Sequence, residues 1–372
     1  MKRFTRLYEK IISVENLFEA HKRASAGKKH YKEVQKVEAN LEFYLNELHH
    51  TLATHSYKVS AYTKKIINER GKERVLHKLP YYPDRIIQWA IMLQIEFIFT
   101  RHFCFHTCAS LANRGIKRAA RLSKRYASLS GGAGKYCLKF DIAKFYDNID
   151  HATLKAQLAT RIKDKELMSL LCLIISSFKS EQGTAKGLPI GSYLSQYLAN
   201  FYLSEFDHFL KEKKHQKFVV RYMDDICIFG RSKKELHDLL RQIKIYLKAR
   251  LKLDLKSNYQ IYPVKARGVD FVGFRFFKAF TLLRKSVALS FKRLCARILK
   301  RVRQLGQMTY TQFCAAFSYL GILRAGNAYK LFKKYFLPLK KPLSDFYAAN
   351  LNQKPQKIAK FANHFDYKKE AA

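Results

Sequence analysis

The sequence has 372 residues, and its 71 Lys and Arg against 29 Asp and Glu give a formal net charge of +42 at pH 7. A charge of this size predicts a polyanionic partner, with nucleic acid as the natural candidate. Because 48% of the residues are hydrophobic and 14% are aromatic, the chain can bury large cores, which excludes a disordered basic tail.

A membrane surface is the competing polyanion, but no apolar stretch approaches the ~18 residues of a spanning helix. The first residues, MKRFTRLYEK, lack the apolar core of a signal peptide, so we expect a cytoplasmic protein that does not bind a membrane. Charge alone would also suit a ribosomal or scaffold protein. The seven cysteines are odd in number and scattered, which does not indicate a disulfide framework.

Two amphipathic helices are predicted at the N-terminus. Ser13 suits the N-cap of the first helix, which ends at Gly27, and the second extends from about residue 33 to residue 52. Residues 57–79 follow as a predicted β-hairpin that turns near Gly71. Cations on such a hairpin suit phosphate groups, because an Arg guanidinium binds phosphate oxygens in a bidentate manner.

Pro83 is placed to start the next helix. This helix is apolar around most of its circumference, so we expect it to be buried. Asp84 and Arg85 at its beginning predict a structural ion pair.

The motif RHFCFHTC alternates potential zinc ligands that could face one way on a strand. They are His102, Cys104, His106 and Cys108. All of them fall in one short stretch, whereas structural zinc sites usually join two separated ligand pairs. We therefore predict core packing for this motif rather than metal binding.

A basic helix is predicted from Asn113 through Arg125, and it suits contact with a nucleic-acid backbone. The glycine-rich stretch 128–136 lacks the lysine-serine ending of a phosphate loop, so a tip loop is predicted. The alternation that follows predicts a strand with Asp141 at its end. The sequence DNIDH then predicts a turn and helix cap. Residues 183–191 predict a glycine-containing loop that leads into a long helix.

The run FVVRYMDDICIFG, residues 218–230, predicts two strands joined by a tight turn that carries Asp224 and Asp225. Two like charges side by side repel each other, and a surface turn would more readily use one Asp with Gly or Asn. The pair therefore predicts a bound cation. A simple acidic hairpin tip is the alternative.

Asp141 supplies a third carboxylate at the end of its own strand. A strand-end Asp beside a hairpin with two further carboxylates suits a pair of divalent ions. Mg²⁺ prefers carboxylate and phosphate oxygens, and two ions roughly 3.5–4 Å apart clamp the attacking and leaving oxygens of a phosphoryl displacement. We predict two Mg²⁺ ions, for which Mn²⁺ can substitute.

The remaining chain predicts an amphipathic helix over residues 233–253 and a strand within residues 254–264. The segment GVDFVGFRFF predicts a turn through Gly273, where the absence of a side chain lets another backbone approach closely. From about Leu289 onward, three basic amphipathic helices are predicted.

Five of these segments, in this order and over roughly residues 7 to 340, resemble the polymerase motifs of reverse transcriptases. They are ERVLHKLPYYPDRIIQWAI, FDIAKFYDNIDH, KGLPIGSYLSQYLANFYL, RYMDD and GVDFVGFRFF. In turn, they resemble the fingers segment, the strand of the first aspartate, the template-and-nucleotide helix, the catalytic hairpin and the primer grip. Ile190, Gly191, Ser195 and Gln196 replace a common glutamine-glycine and serine-proline pattern. In this the chain resembles diversity-generating retroelement enzymes and defence-associated bacterial reverse transcriptases.

This resemblance implies an α+β fold of the right-hand polymerase type. The expected divisions are an N-terminal helical extension (1–56), fingers (57–135), palm (136–280, with 151–190 partly fingers), a helical thumb (281–345) and a basic tail (346–372). The extension either packs near the template or simply stabilises the fold.

Roles for individual residues follow from the resemblance. Asp141, Asp224 and Asp225 would be catalytic and hold the metal ions. Nucleotide contacts are implied for Arg74, Lys72, Tyr146, Gln196 and Lys256. Template or primer contacts are implied for Arg114, Gly191, Tyr222, Met223 and Gly273. Tyr146 would close the nucleotide pocket against a ribose 2′-hydroxyl. Tyr259 stands where many relatives carry a general-acid lysine, which leaves Lys256 as the candidate.

The implied function is RNA-directed DNA synthesis in a bacterial retroelement or antiphage defence system. The implied partners are an RNA template, expected to be a dedicated non-coding RNA, a DNA primer and product, and deoxynucleotides, with an accessory protein or a second copy of the chain as further candidates. Two alternatives stay open: template-independent or protein-primed DNA synthesis in phage defence, and a non-catalytic RNA-binding subunit of a ribonucleoprotein. The intact aspartates argue against the second.

Overall fold

The computed structural model describes residues 3–69, 72–130, 132–179 and 183–350. The chain divides into two compact units. The first unit comprises Met1–Gly115, Lys139–Ile226 and His237–Tyr259, and the second comprises Ile116–Leu138, Cys227–Leu236 and Gln260–Ala372. The mixed helix and sheet content confirms the predicted α+β class.

Helices make up most of the regular structure. In chain order, the helices are α1 (Tyr8–Ile12), α2 (Val14–Ser25), α3 (Lys32–Ala39), α4 (Leu41–Ala53), α5 (Ile86–His102), α6 (Gly115–Ala127), α7 (Phe145–Asn148), α8 (His151–Ala159), α9 (Lys165–Ser177), α10 (Tyr193–Tyr202), α11 (Ser204–His208), α12 (Lys233–Leu251), α13 (Val264–Arg267), α14 (Lys285–Leu305), α15 (Tyr310–Arg324), α16 (Tyr329–Leu331) and α17 (Lys340–Asn350). The strands are β1 (Thr63–Glu69), β2 (Lys72–Lys78), β3 (Tyr136–Asp141), β4 (Val219–Tyr222), β5 (Asp225–Gly230), β6 (Gln260–Pro263), β7 (Val269–Phe271), β8 (Phe274–Phe276) and β9 (Thr281–Leu283). Single π-helical turns lie at Phe209–Lys213 and Phe332–Phe336, and a 3₁₀ turn lies at Leu337–Leu339. At Tyr81–Arg85 the chain is kinked, because Tyr82 has the extended values φ −107° and ψ 135°.

The N-terminal helices agree with the sequence in part. Ser13 caps α2 as predicted, since its hydroxyl accepts a hydrogen bond from the Asn16 amide at 3.3 Å. The second predicted helix is wrong as a single element, because it breaks at Asn40 into α3 and α4. Asn40 has φ −141° and ψ 55°. Its side chain forms no capping hydrogen bond, and its backbone amide donates to the Val37 carbonyl at 3.3 Å. The regular apolar spacing around Asn40 conceals the break.

The predicted hairpin is confirmed, with β1 antiparallel to β2 and Ile67 opposite Arg74. Its turn at residues 70 and 71 and the side chain of Lys72 lie outside the described part of the structure. Beyond it, α5 is buried around most of its surface, as predicted.

The predicted ion pair between Asp84 and Arg85 is wrong. The fully buried Asp84 carboxylate instead accepts hydrogen bonds from the Tyr57 hydroxyl at 2.7 Å and the Ser60 amide at 3.1 Å. No ion pair to Arg85 is found among the described residues. Asp84 therefore ties the chain before β1 to the start of α5, so its role remains structural.

The His and Cys alternation packs in the core, as predicted. Cys104 and Cys108 are buried, His102 stacks on His208 with ring centroids 4.6 Å apart, and His106 Nε2 lies 3.1 Å from Asp207. Within the described ranges, these side chains do not form a cluster that could hold a metal ion.

A sheet with the strand order β4-β5-β3-β6 carries the central carboxylates. The division between the two units passes through β3 and β5. Asp141 is the last residue of β3, and Asp225 is the first residue of β5. The long helix predicted after residue 191 is observed as α10, α11 and the π-helical turn that follows them.

The second unit contains the β7-β8-β9 sheet and the C-terminal helices. Its hydrophobic core lies among α14, α15 and the segments after them. Thr309 and Gln312 form a capping box at the start of α15. The third predicted helix is short. The sequence did not predict α17, which extends into the segment predicted as a tail. There Phe346 packs on Phe313 with ring centroids 5.1 Å apart. Residues 351–372 lie outside the described residues.

In the part of the chain that is described, every helix is too short or too polar to cross a membrane. The divisions into fingers, palm and thumb stay a prediction.

Candidate active site

The turn between β4 and β5 presents the first carboxylate. Met223 and Asp224 connect the two strands, which are neighbours in the sheet. Met223 has φ 55°, in the left-handed region that residues other than glycine seldom adopt. Such a conformation costs on the order of 1–3 kcal/mol unless its surroundings enforce it, which makes the turn a candidate for a functional constraint.

Asp141 and Asp225 lie on the neighbouring strands β3 and β5, so the sheet brings both strand ends together. Each carboxylate has an ammonium group close by. Lys139 Nζ is 3.5 Å from Asp225 Oδ2, and Lys256 Nζ is 3.7 Å from Asp141 Oδ2. The Lys256 amide also donates to the Asp141 carbonyl at 2.9 Å, which fixes the backbone on which that side chain is mounted.

Ionisation of Asp224 and Asp225 is unfavourable without further positive charge nearby. Burial raises the pKa of Asp225 to about 7; the Lys139 ammonium opposes this shift, while Asp141 and Asp224 add to it. Burial also raises the pKa of Asp224, with Asp141 adding to the shift and Lys256 and Arg74 opposing it. Half-buried carboxylates that repel one another favour a cation among them.

The donor set suits a hard divalent cation. Asp225 Oδ1 is buried and has no hydrogen-bond partner among the described residues, so a lone pair in the cluster is unused. An unpaired buried carboxylate oxygen is costly, and a cation would satisfy it. As the side chains stand, no three His, Cys, Asp or Glu side chains in the described ranges lie close enough to hold an ion together. The Lys139 and Lys256 ammonium groups lie beside two of the carboxylates instead.

We expect the metal-free protein to lose stability through Asp225 as the pH rises from about 4 to about 7. An unfolded chain releases this proton near pH ~3.9, whereas burial raises the pKa in the folded protein to about 7. Between these pH values the folded state therefore holds a proton that the unfolded state has lost. The free energy of unfolding falls as the pH rises through this window. The measurement is the difference in melting temperature between pH 5 and pH 7.5, in the presence of a chelator.

In Asp225→Asn this difference should shrink. Substitution of the partly exposed Asp238 by Asn serves as the control with the same charge change. Equal pH differences in Asp225→Asn and the wild type would contradict the raised pKa.

Tyr146 lies beside the turn. Its hydroxyl donates to Met223 Sδ at 3.9 Å, its carbonyl accepts from the Leu188 amide at 2.9 Å, and its side chain is half-buried. Burial raises the pKa of Tyr146, and the Asp224 charge adds to the shift. Phe145 beside it is buried. Tyr146 is therefore next to the carboxylate turn and partly open, which suits contact with a ligand better than core packing alone.

Gly191 and Gln196 border a cavity of about 220 Å³ in the first unit. Its lining also includes Lys28, Arg85, Trp89 and Tyr193. Trp89 and Tyr193 stack with ring centroids 4.3 Å apart, and Ser192 caps the start of α10. Gly191 has φ 112°, which only glycine adopts readily. A cavity that combines stacked aromatic rings with several cations suits a nucleotide of a polyanionic chain.

The positions of three other predicted residues give less support for contact with a nucleotide, template or primer. Arg114 is half-buried, and its Nη1 donates to the Cys104 and Thr107 carbonyls, both at 2.8 Å, so this nitrogen holds a loop. Tyr222 is half-buried at the end of β4. Arg74 is exposed on β2 and influences Asp224 electrostatically.

Gly273 lies in the second unit, with φ 90° in the turn between β7 and β8. The preceding Val272 has φ 42°, a strained value for a β-branched residue. The geometry of this turn is thus as predicted, and its contact with a primer stays a prediction.

Sequence reasoning did not assign a role to Arg221, whose guanidinium lies directly behind the carboxylate turn. The available signal was an arginine inside the otherwise apolar run FVVRYM. A charge at such a position must be paired if the strand is buried.

A family model described as "Reverse transcriptase (RNA-dependent DNA polymerase)" matches residues 62–276. Among curated proteins, the chain is 28% identical to Protein YkfC of Escherichia coli over 167 residues, which is 44% of each chain. It is 30% identical over 174 residues to the group II intron-encoded protein LtrA of Lactococcus lactis, covering 46% of this chain and 28% of LtrA.

The matched region is thus less than half the length of either relative. Among solved structures, apo telomerase from Candida tropicalis covers 77% of this chain and 60% of its own, at 13% identity and a TM-score of 0.48. The family match includes every carboxylate of the candidate site.

Proposed function

This chain belongs to the reverse transcriptase family, and from that premise we propose that it extends a DNA 3′ end on an RNA template. The observation that carries the proposal is the position of Asp141, Asp224 and Asp225 at the adjoining ends of β3, β4 and β5, with one buried carboxylate oxygen left unpaired. We further propose that it serves a bacterial retroelement or antiphage defence system. Its partners would be a dedicated non-coding RNA, a DNA primer and deoxynucleotides, and since these meet in the cytoplasm we place its action there.

The three aspartates would hold Mg²⁺, with Mn²⁺ as a substitute. Bound there, Mg²⁺ supplies charge stabilisation for the attacking and leaving oxygens of an in-line displacement. The protein's own part is to orient these carboxylates through β3 and the β4-β5 turn. Arg74, exposed on its hairpin, would bind the triphosphate, because its guanidinium can form paired hydrogen bonds with phosphate oxygens.

Lys256 is the candidate proton donor for the leaving pyrophosphate. Its ammonium group is exposed and lies 3.7 Å from Asp141 Oδ2, so it can reach the cluster and exchange protons with water. The ring of Tyr259 contacts the Lys244 ammonium instead, with Nζ 4.2 Å from the centroid. A positioned general acid contributes typically about 10²–10⁴-fold to a rate.

The charge of the second unit supports a nucleic-acid partner. Between Asp270 and Asp345 the sequence has 16 Lys and Arg and no Asp or Glu. Arg293, Arg297 and Lys300 are exposed at helical spacing along α14. Three cations on one helix face can contact successive phosphates of a duplex.

We expect the affinity for an RNA–DNA duplex to fall steeply with salt. Each phosphate contact contributes a slope of about −0.9 to the plot of log affinity against log salt. In Arg293→Gln with Arg297→Gln, the slope should become shallower by about 1.8 if both side chains contact phosphate. Binding measured at four or more salt concentrations gives the slope.

The matched control is Lys163→Gln with Lys165→Gln, which removes the same charge from exposed positions of the first unit. An equal decrease of the salt slope in the two double variants would show a general charge effect and not a binding face on α14.

The polymerase proposal is tested by offering one deoxynucleotide at a time to the protein with a primed RNA template. A templated enzyme incorporates only the complementary nucleotide. Incorporation of all four would support template-independent synthesis, and product attached to the protein would support protein priming. Tight RNA binding with no incorporation would support the non-catalytic subunit.

A further inference from the structure

Arg221 lies on β4, two residues before Met223 and the carboxylate turn. Its side chain is completely buried, with 0% exposure. Removing a guanidinium from water is costly unless its donors are all used. The partners of this residue therefore indicate what the buried charge does.

The main partner is Asp207 on α11, which is also completely buried. Arg221 Nε donates to Asp207 Oδ1 at 2.8 Å, and Nη2 donates to Oδ2 at 2.5 Å, a bidentate pair. Burial alone would raise the pKa of Asp207, but Arg221 and His106 hold it below its usual range, so the pair is charged. Thr107 adds a hydrogen bond to Asp207 Oδ2 at 2.8 Å.

The remaining nitrogen, Nη1, joins two functional elements. It donates to Asn200 Oδ1 at 3.0 Å and to the Met223 carbonyl at 3.2 Å. Asn200 lies on α10, one helical turn after Gln196, which borders the cavity described above. Met223 is the strained residue immediately before Asp224. One guanidinium thus links the carboxylate turn to the helix that borders the cavity.

We propose that Arg221 is a positioning residue that fixes the Asp224 turn relative to α10, and that it thereby sets the affinity of the carboxylates for a divalent cation. This proposal rests on the metal-binding part of the proposed function, and it does not require that the chain copies RNA. The planar fork of arginine is needed because three acceptors must be met at fixed angles. Lysine offers a point charge and cannot meet them together.

The test measures Mn²⁺ binding to the full chain by electron paramagnetic resonance, with Mn²⁺ alone as the probe. In Arg221→Lys, the dissociation constant should rise at least about tenfold, as for other residues that orient metal ligands. Asp224→Asn is the positive control. Asp164→Asn is the structural control, because this buried carboxylate caps α9 and binds the Leu7 and Tyr8 amides away from the turn.

A second variant separates positioning from stability. Arg221→Met combined with Asp207→Leu removes both charges and fills the space, and such replacements of buried ion pairs are often neutral or stabilising. Thr107 and His106 lose their acceptor, so we expect this double variant to fold with a somewhat lower melting temperature. Its Mn²⁺ binding should be weaker than that of the wild type, and incorporation should require more Mg²⁺. Wild-type Mn²⁺ affinity in this folded double variant would overturn the proposal.

The outcomes distinguish this inference from the proposed function. Wild-type protein that binds Mn²⁺ at Asp224 but does not extend a primer would refute polymerase activity and leave the positioning role standing. Normal extension together with unchanged Mn²⁺ affinity in Arg221→Lys would refute the positioning role alone.

Discussion

Asp224→Asn is expected to lower nucleotide incorporation by more than about 100-fold, because electrostatic stabilisation at the reacting centre usually contributes more to such catalysis than any other effect. The substitution removes a charged oxygen from the cluster and keeps the side-chain shape. Since burial and Asp141 raise the pKa of Asp224, its charge is unfavourable in the metal-free protein. The melting temperature should therefore hold or rise while activity is lost.

The measurement is single-nucleotide extension of a primed RNA, alongside a melting curve and an RNA-binding titration. Asp238→Asn is the matched control, since this partly exposed residue pairs only with Arg241 on the same helix among the described residues. Residual extension above about a hundredth of the wild-type rate would remove Asp224 from the metal-binding set.

Tyr146→Ala is expected to admit ribonucleotides while deoxynucleotide incorporation falls only modestly. A ring beneath the sugar excludes a 2′-hydroxyl by steric conflict. Loss of the ring should therefore raise the ratio of ribonucleotide to deoxynucleotide incorporation. Each 1.4 kcal/mol removed from the discrimination is about tenfold in that ratio. Tyr146→Phe is the sharpest control: the hydroxyl contacts only the Met223 sulfur at 3.9 Å among its hydrogen bonds to described residues, so the ring alone should preserve the discrimination.

The competing explanation makes Tyr146 a packing residue. In that case the truncation to Ala should cost roughly 3–5 kcal/mol of stability and lower the incorporation of ribonucleotides and deoxynucleotides equally. An unchanged ratio with a lower melting temperature would support packing and refute the gate.

The candidate site could be predicted largely because its residues lie at the ends of strands that the local pattern reveals. Asp141 follows an alternating run, and Asp224 lies between two apolar runs, so both positions are set by short-range periodicity. The class of fold and membership of the reverse transcriptase family are confirmed for the same reason: each motif is local and their order is retained. The finer branch, close to the diversity-generating and defence-associated enzymes, stays a prediction.

The support behind the site could not be predicted, because it is assembled from distant residues. Arg221 meets Thr107, Asn200 and Asp207, which no local pattern joins. The buried arginine signals that a partner exists but not which one. The assignment of Arg114 to a nucleic-acid backbone faces the same difficulty, since its Nη1 is engaged by carbonyls of a nearby loop.

Helix breaks could not be predicted from the apolar pattern either. Apolar spacing continues across Asn40, yet the non-helical backbone of that residue, with φ −141° and ψ 55°, divides α3 from α4. The same applies to α17, whose buried Phe346 depends on Phe313 in a preceding helix. Periodicity reports which face is apolar, and the end of a helix is decided by caps and by tertiary contacts.

The central claim is that the three aspartates direct DNA synthesis on an RNA template, and sequencing of the product tests it most directly. The purified chain would be given a heteropolymeric RNA with an annealed DNA primer, all four deoxynucleotides and Mg²⁺, in parallel with Asp224→Asn. We predict DNA complementary to the RNA from the wild type and unextended primer from the variant. Product of a sequence unrelated to the template, or equal product from the variant, would contradict the claim.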